Sequence, residues 1–204
     1  MTSRLLLQDV SRETRERLDI YLDLLRKWTP HINLVSKSSL DDAWSRHFED
    51  SAQLLGLSTI EDGTWLDMGS GGGFPGLVIA ILLEEQAAKR RVVLMESDQR
   101  KCAFLRTVIR ETAVNAEVIT NRIEVAPPAK AVTISARALS NLSDLLEFTF
   151  RHGTEKTEAL FPKGRTWQSE LSDARSKWRF KHEVYHSNTD PEAVILRIEE
   201  IEHV

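Results

Sequence analysis

Asp67-Met68-Gly69-Ser70-Gly71-Gly72-Gly73-Phe74-Pro75-Gly76 is the stretch on which the fold turns. Just before it, Thr64 to Met68 reads as a short apolar strand. Just after it, Gly76 to Glu85 reads as a helix. Glycines between a strand and a helix let the backbone pass close to a ligand, and the helix start offers unpaired N–H groups. The register is open. Gly71, Gly73 and Gly76 fit the dinucleotide-binding spacing, while Gly69, Gly71 and Gly73 fit a different one.

Downstream, strand and helix textures alternate. Arg91 to Met95, Glu117 to Thr120, Ala131 to Ala136 and Glu158 to Phe161 read as strands. Gln99 to Thr112, Leu142 to Phe150 and Trp167 to Trp178 read as helices. That alternation predicts a mostly parallel α/β sheet covered on both faces. The last two strands, Glu183 to His186 and Ala193 to Ile201, are joined only by Ser187 to Pro191. So short a turn makes an antiparallel pair. The expected sheet therefore has seven strands, with the last one antiparallel.

Upstream, the texture is helical. Leu18, Tyr21, Leu22, Leu25 and Trp28 fall on one helix face, with Ser11 as cap and Pro30 as the expected stop. A second helix is expected from Ser39 to Leu55, capped by Ser38 or Ser39 and ended by Gly56. The chain thus divides into a helical extension, residues 1–60, and a sheet domain, residues 61–204, that form one unit.

The 204 residues are 41% hydrophobic and 28% charged, an ordinary globular balance that excludes wholesale disorder. The longest apolar run, Gly76 to Leu83, is far short of the ~20 residues that cross a bilayer. Met1 to Gln8 lacks the apolar core and cleavage site of a signal peptide, so the chain reads as cytoplasmic. Cys102 is the only cysteine, which excludes an internal disulfide and a cysteine-cluster metal site. Net charge is −4, which by itself disfavours a nucleic-acid partner. Two stretches run against the average. Lys89 to Arg106 and Leu160 to His182 each carry six basic residues against two acidic ones.

His182-Glu183-Val184-Tyr185-His186 matches the H-E-x-x-H pattern of zinc proteases. Phe180, His182, Val184 and His186 alternate with polar neighbours and a turn follows, which is strand texture. On a strand the two histidines stand ~13 Å apart, too far to share a zinc ion. No metal is expected. Two acids bear on the glycine loop instead. Asp67, two residues before Gly69, suits a cationic ligand better than a pyrophosphate, and S-adenosylmethionine carries an ammonium and a sulfonium. Glu96, at the end of the second strand, is placed for ribose hydroxyls with either cofactor.

Further motifs accompany the loop: Asn33-Leu34-Val35-Ser36, Arg46-His47-Phe48-Glu49-Asp50-Ser51, Arg100-Lys101-x-x-Phe104-Leu105, Arg122-Ile123-Glu124, Ala136-Arg137-Ala138 and Lys163-Gly164. In this order and spacing, over nearly the whole chain, the sequence resembles the bacterial guanine-N7 methyltransferases of small-subunit ribosomal RNA, the glucose-inhibited division protein B family. Two departures are mild. Ala136 stands where the family often has Ser, and Arg100-Lys101 where it often has Lys-Arg.

The resemblance implies a Rossmann-like class I methyltransferase fold, S-adenosylmethionine as cofactor, and 16S ribosomal RNA as acceptor. It implies a cofactor site at Gly69, Phe74, Ile123, Glu124 and Arg137, to which the loop reading adds Asp67, Ser70, Gly71 and Glu96. Ile123 would pack on adenine, and Glu124 or a backbone group would meet its exocyclic amine. Arg46, His47, Asp50, Arg137 and Lys163 are the substrate-side candidates. Arg137, with Phe74, would stack on the target base. Arg46, Lys163, Arg165 and the Lys89 to Arg106 stretch would contact the RNA backbone. His47 would be a hydrogen-bonded structural group tying the N-terminal helices to the loop. N7 of guanine already has a lone pair, so no general base is expected. Because the net charge is low, a ribosomal particle is expected as substrate in place of bare RNA. The fold also admits a methyltransferase acting on a protein or small molecule, a non-catalytic nucleotide-binding regulator, or a nicotinamide-dependent dehydrogenase.

Overall fold

The computed structural model describes residues 7–86 and 90–204. The reading of Met1 to Leu6 and the placing of Lys89 lie outside the described residues.

β1 (Thr64–Met68) runs parallel to β2 (Arg91–Glu96) on one side and to β4 (Thr133–Ser135) on the other. β3 (Ala116–Thr120) lies beyond β2, and β5 (Glu158–Lys163) lies parallel beyond β4. β7 (Val194–His203) pairs antiparallel with both β5 and the outermost β6 (Trp178–His186). The seven-stranded order is β3-β2-β1-β4-β5-β7-β6, with the antiparallel last strand as expected. Strand order reverses between β1 and β4, so a crevice opens at their carboxyl ends. In open α/β sheets that crevice holds the ligand.

Side chains alternate across the strands and build two cores. Trp65, Val92 and Leu94 face one core together with α4 (Gly76–Glu85) and α5 (Gln99–Thr112). Leu66, Met68, Val93 and Met95 face the other together with α6 (Leu142–His152) and α7 (Trp167–Ala174). α1 (Arg12–Ile32) lays Leu18, Tyr21 and Leu25 into the first core, against Leu77 and Phe104. No helix among the described residues is long and apolar enough to cross a membrane.

Several boundaries differ from expectation for identifiable reasons. Ser11 does cap α1, but the helix runs past Pro30 to Ile32 and ends where Asn33 turns left-handed and donates its N–H to the Thr29 carbonyl at 3.0 Å. Proline's φ is helical and costs one hydrogen bond here, not the helix. The single helix expected from Ser39 to Leu55 is three pieces. α2 (Lys37–Leu40) is capped by Ser36, a π-helical segment spans Trp44–Glu49, and α3 (Asp50–Leu55) follows. α7 stops at Ala174, and Trp178 opens β6. Both elements bury the same side, so apolar spacing does not separate them. β5 continues through Pro162 to Lys163. β4 pairs only as far as Leu160, so Pro162 has a sheet neighbour on one side alone.

Candidate cofactor and substrate site

The glycine loop uses both registers. Gly69, Gly71 and Gly73 have φ of +66°, +53° and +93°, a region that L side chains rarely adopt. Gly76 serves packing. A Cβ there would collide with Leu94 and lie 2.8 Å from Asp67 Oδ2, so glycine lets α4 seat against β1 and β2.

The loop is held from two directions. Gly71 N–H donates to Glu96 Oε2 at 2.9 Å. Glu96 Oε1 accepts from the Ser97 and Asp98 N–H groups at 2.7 and 2.8 Å, so its carboxylate is fixed at the end of β2. From α1, the Tyr21 hydroxyl donates to the Gly72 carbonyl at 2.6 Å. Burial raises the Tyr21 pKa well above 10.0, so the hydroxyl remains a donor.

A cavity of about 450 Å³ opens over this loop. Gly69, Ser70, Gly71, Phe74, Glu96, Ile123, Glu124 and Arg137 all line it. These candidates come from the carboxyl ends of four different strands, β1 to β4, or the turns just after them, so the structure brings them together. Asp67 is the exception. It is fully buried and does not line the cavity. Its Oδ1 accepts from the Ser135 hydroxyl at 2.8 Å, and its side chain faces Gly76 beneath the start of α4. Strand alternation turns it away from the cavity, so the expected contact with a cationic ligand gives way to a role under the loop. Burial pushes its carboxyl up to about 6, against the hydrogen bond from Ser135.

A second cavity of about 550 Å³ adjoins the first. Arg46, Asp50 and Lys163 line it beside Glu170, Asp190 and the end of β4. Arg137 and Ala138 line both cavities. Arg137 therefore stands at the seam, and its guanidinium is fixed there. Nη1 donates to the Arg46 carbonyl at 3.1 Å and to Asp50 Oδ2 at 3.3 Å; Nη2 donates to His47 Nδ1 at 3.0 Å. The guanidinium also lies 5.1 Å from the Phe74 ring centre.

Because Arg137 can only donate, His47 Nδ1 must accept, and Nε2 carries the proton toward Ser39 Oγ at 3.0 Å. His47 also stacks on Phe74 at 4.9 Å. Burial, with Arg137 and Arg46 beside it, lowers the His47 pKa to about 4. Its neutral ring joins Ser39 of α2 to Arg137 and to the loop residue Phe74. The π-helical segment makes the meeting possible, since Asp50 N–H bonds back to Ser45 and His47 carbonyls and leaves the Arg46 carbonyl for Arg137.

Other basic candidates are placed differently. Lys163 is 9% exposed and donates to Glu170 Oε2 at 2.7 Å and the Ser140 carbonyl at 2.9 Å. It braces the second cavity and offers no free cation to RNA. Arg165 is exposed and paired with Glu192. Arg46 is exposed and has no ion-pair partner among the described residues. The expected basic stretch does not form one surface. Arg90 is buried, donating to Ser58 and Thr133 beside Glu158, at the opposite end of β2 from the cavity. Arg91 pairs with Glu117 at 3.2 Å. Arg100 pairs with Asp98 at 3.5 Å, and Lys101 lines the first cavity.

The H-E-x-x-H residues lie on β6, paired residue by residue with β7, so the two histidines share no helix face. Three residues of the site escape the sequence reading as site residues. Tyr21 reads only as core by its spacing. Thr189, which donates to Asp50 Oδ1 at 2.8 Å, sits in a turn. Glu170, which holds Lys163 and the Leu142 N–H, reads as one charge among many on a helix.

The family model for rRNA small subunit methyltransferase G (GidB) matches residues 14–193. A ribosomal RNA small subunit methyltransferase G of Ruegeria sp. (strain TM1040) is 50% identical over 196 residues, covering 96% of this chain and 95% of that protein. One of Rhodospirillum centenum is 50% identical over 192 residues, covering 94% and 87%. Among solved structures, a SAM dependent methyltransferase from Aquifex aeolicus superposes with a TM-score of 0.59 at 15% identity, over 87% of this chain and 96% of that one. A TehB-like SAM-dependent methyltransferase from Corynebacterium glutamicum gives 0.55 at 15% identity, over 74% and 87%. At such identity these two show the Rossmann-like methyltransferase fold alone. With the family model spanning most of the sequence and relatives at half identity along nearly all of it, the chain belongs to the rRNA small subunit methyltransferase G family.

Proposed function

We propose that this chain transfers a methyl group from S-adenosylmethionine to N7 of a guanine in 16S ribosomal RNA, acting in the cytoplasm on a small ribosomal subunit or its precursor. The observation that carries this is the pair of cavities meeting at Arg137 and Ala138. One is suited to a nucleoside. It has a fixed carboxylate, Glu96, for ribose hydroxyls, an apolar wall, Ile123, for a purine, and a glycine cradle for the chain beyond. The other is open to a partner, with Arg46 at its edge.

When bound, S-adenosylmethionine supplies an electrophilic methyl on a sulfonium. The residues of the chain position the reactants. Glu96 orients the ribose; Ile123 and Glu124 hold the adenine. Arg137, pinned by His47, Asp50 and the Arg46 carbonyl, presents a flat cationic face at the seam on which a flipped guanine stacks. Asp50 has one oxygen on Arg137 and the other taken by Gln53 and Thr189, so its role is to hold Arg137. No proton need leave N7 before attack.

The test is methyl transfer from labelled S-adenosylmethionine to small subunits lacking their modifications, followed by digestion to nucleosides. Label in 7-methylguanosine from one position supports the reading. An unlabelled RNA fraction, with S-adenosylhomocysteine still bound, overturns the acceptor and points to a protein or small molecule. Equal labelling of deproteinised RNA overturns the particle as substrate.

A further inference from the structure

The turn that carries Ile123 and Glu124 is gripped from behind by the last residues of α6. His152 is fully buried, and its Nε2 lies 2.8 Å from the Ile123 carbonyl. A carbonyl only accepts, so Nε2 carries the proton and donates. Nδ1 is buried and has no partner among the described residues, so nothing there competes for the ring's orientation. Next to it, Arg151 Nη2 donates to the Ala126 carbonyl at 2.9 Å. The His152 carbonyl itself accepts from Ala131 N–H at 2.9 Å, which ties the helix end to the segment entering β4.

The Ile123–Glu124 peptide is planar, so its C=O and N–H point in opposite directions. With the carbonyl drawn into the core by His152, the Glu124 N–H points away from the core. It makes no hydrogen bond within the chain among the described residues. Ile123 and Glu124 both line the first cavity, and the Ile123 side chain is 8% exposed. The peptide is thus oriented by a side chain that never reaches the cavity.

We infer that His152 is a positioning residue for the nucleoside end of the cofactor site: by holding the Ile123 carbonyl inward, it aims the Glu124 N–H at N1 of adenine. The inference rests on the proposed placement of adenine against Ile123 and Glu124. N1 is the ring acceptor next to the exocyclic amine, so one residue meets both, through its backbone and its side chain.

The test compares binding of S-adenosylhomocysteine with that of its 1-deaza analogue, which lacks the N1 acceptor, in the wild type, His152→Leu and His152→Gln. The expected result is a wild-type preference for the parent of about tenfold, the worth of one well-made hydrogen bond in a dry site. His152→Leu loses about that factor for the parent and almost nothing for the analogue. His152→Gln, whose amide can donate to the same carbonyl, restores the preference. If the wild type prefers the parent and His152→Leu weakens both ligands equally, the residue is structural and the inference is overturned. If the wild type does not distinguish the two ligands, adenine does not lie on this turn. The site reading then fails first and the inference with it.

Discussion

Tyr21 of the N-terminal helix donates its hydroxyl to the carbonyl of Gly72, across 51 positions of sequence and at 2.6 Å. The helical extension therefore braces the loop from behind, and its Leu34 lines the first cavity. The Tyr21 ring also stacks on Phe74, with centres 5.1 Å apart. Tyr21→Phe keeps the stacking and leaves a buried carbonyl without its donor. We expect a loss of about 1–2 kcal/mol of stability by denaturant unfolding. We expect KM for S-adenosylmethionine to rise severalfold while kcat changes little, because the loop's resting geometry is what changes. An unchanged KM would mean that the loop keeps its shape without α1.

Arg137 is held by three acceptors that match the fork of a guanidinium. A lysine keeps the charge but is a point donor that cannot reach all three or offer a flat face. Arg137→Lys is expected to lower kcat/KM for the RNA about 100-fold, roughly 2.7 kcal/mol of transition-state stabilisation. Binding of S-adenosylhomocysteine should fall by far less. Steady-state kinetics with isothermal titration would check the split. Equal losses in both would place Arg137 in cofactor binding and not in base stacking.

His47 and Asp67 pull stability in opposite directions with pH. Between pH 4 and 6.5 the unfolded chain binds a proton at His47 that the folded chain does not, so the His47 contribution grows as pH rises. Between pH 3.8 and about 6 the folded chain keeps a proton on Asp67 that the unfolded chain has lost, so that contribution falls as pH rises. Each is on the order of 3 kcal/mol across its window, so the two largely offset each other from pH 4 to 6. Relative to wild type, Asp67→Asn should become progressively more stable as pH rises from 4 to 6. His47→Gln should become progressively less stable up to pH 6.5. Tm measured at half-unit steps gives both difference curves, and parallel curves would refute the assignment.

Elements with local stop and start chemistry are legible in the sequence. α4 and α5 have the expected ends, because Glu84-Glu85 closes the apolar run and Asp98 caps α5 through the Arg100 and Lys101 N–H groups. The antiparallel last strand follows from one short turn. The fates of single charges are not legible. Arg90 and Arg100 look alike in sequence, yet one is buried among Ser58, Thr133 and Glu158 and the other is exposed. Asp67 precedes the glycines and so reads as facing the ligand, but the pleat decides its side, and the pleat turns it under α4. The meeting of His47 with Arg137 joins residues 90 positions apart, through a π-helical segment that apolar periodicity does not reveal.

Arg46 and Lys163 line the same cavity but answer differently to salt. Arg46 is exposed without an ion-pair partner among the described residues, so it is available to a phosphate. Lys163 is committed to Glu170 and Ser140. Each phosphate neutralised steepens the fall of log K with log salt by about 0.7–0.9. Arg46→Ala should therefore weaken RNA binding and flatten the slope by about one ion. Lys163→Met should leave the slope unchanged and act through the cavity instead. It frees Glu170 from its partner, so stability should drop by about 1–3 kcal/mol as a partly buried carboxylate loses its charge-assisted hydrogen bond. Filter binding of small subunits from 50 to 200 mM salt separates the two. A flatter slope for Lys163→Met would show that Lys163 leaves Glu170 to meet a phosphate when RNA binds.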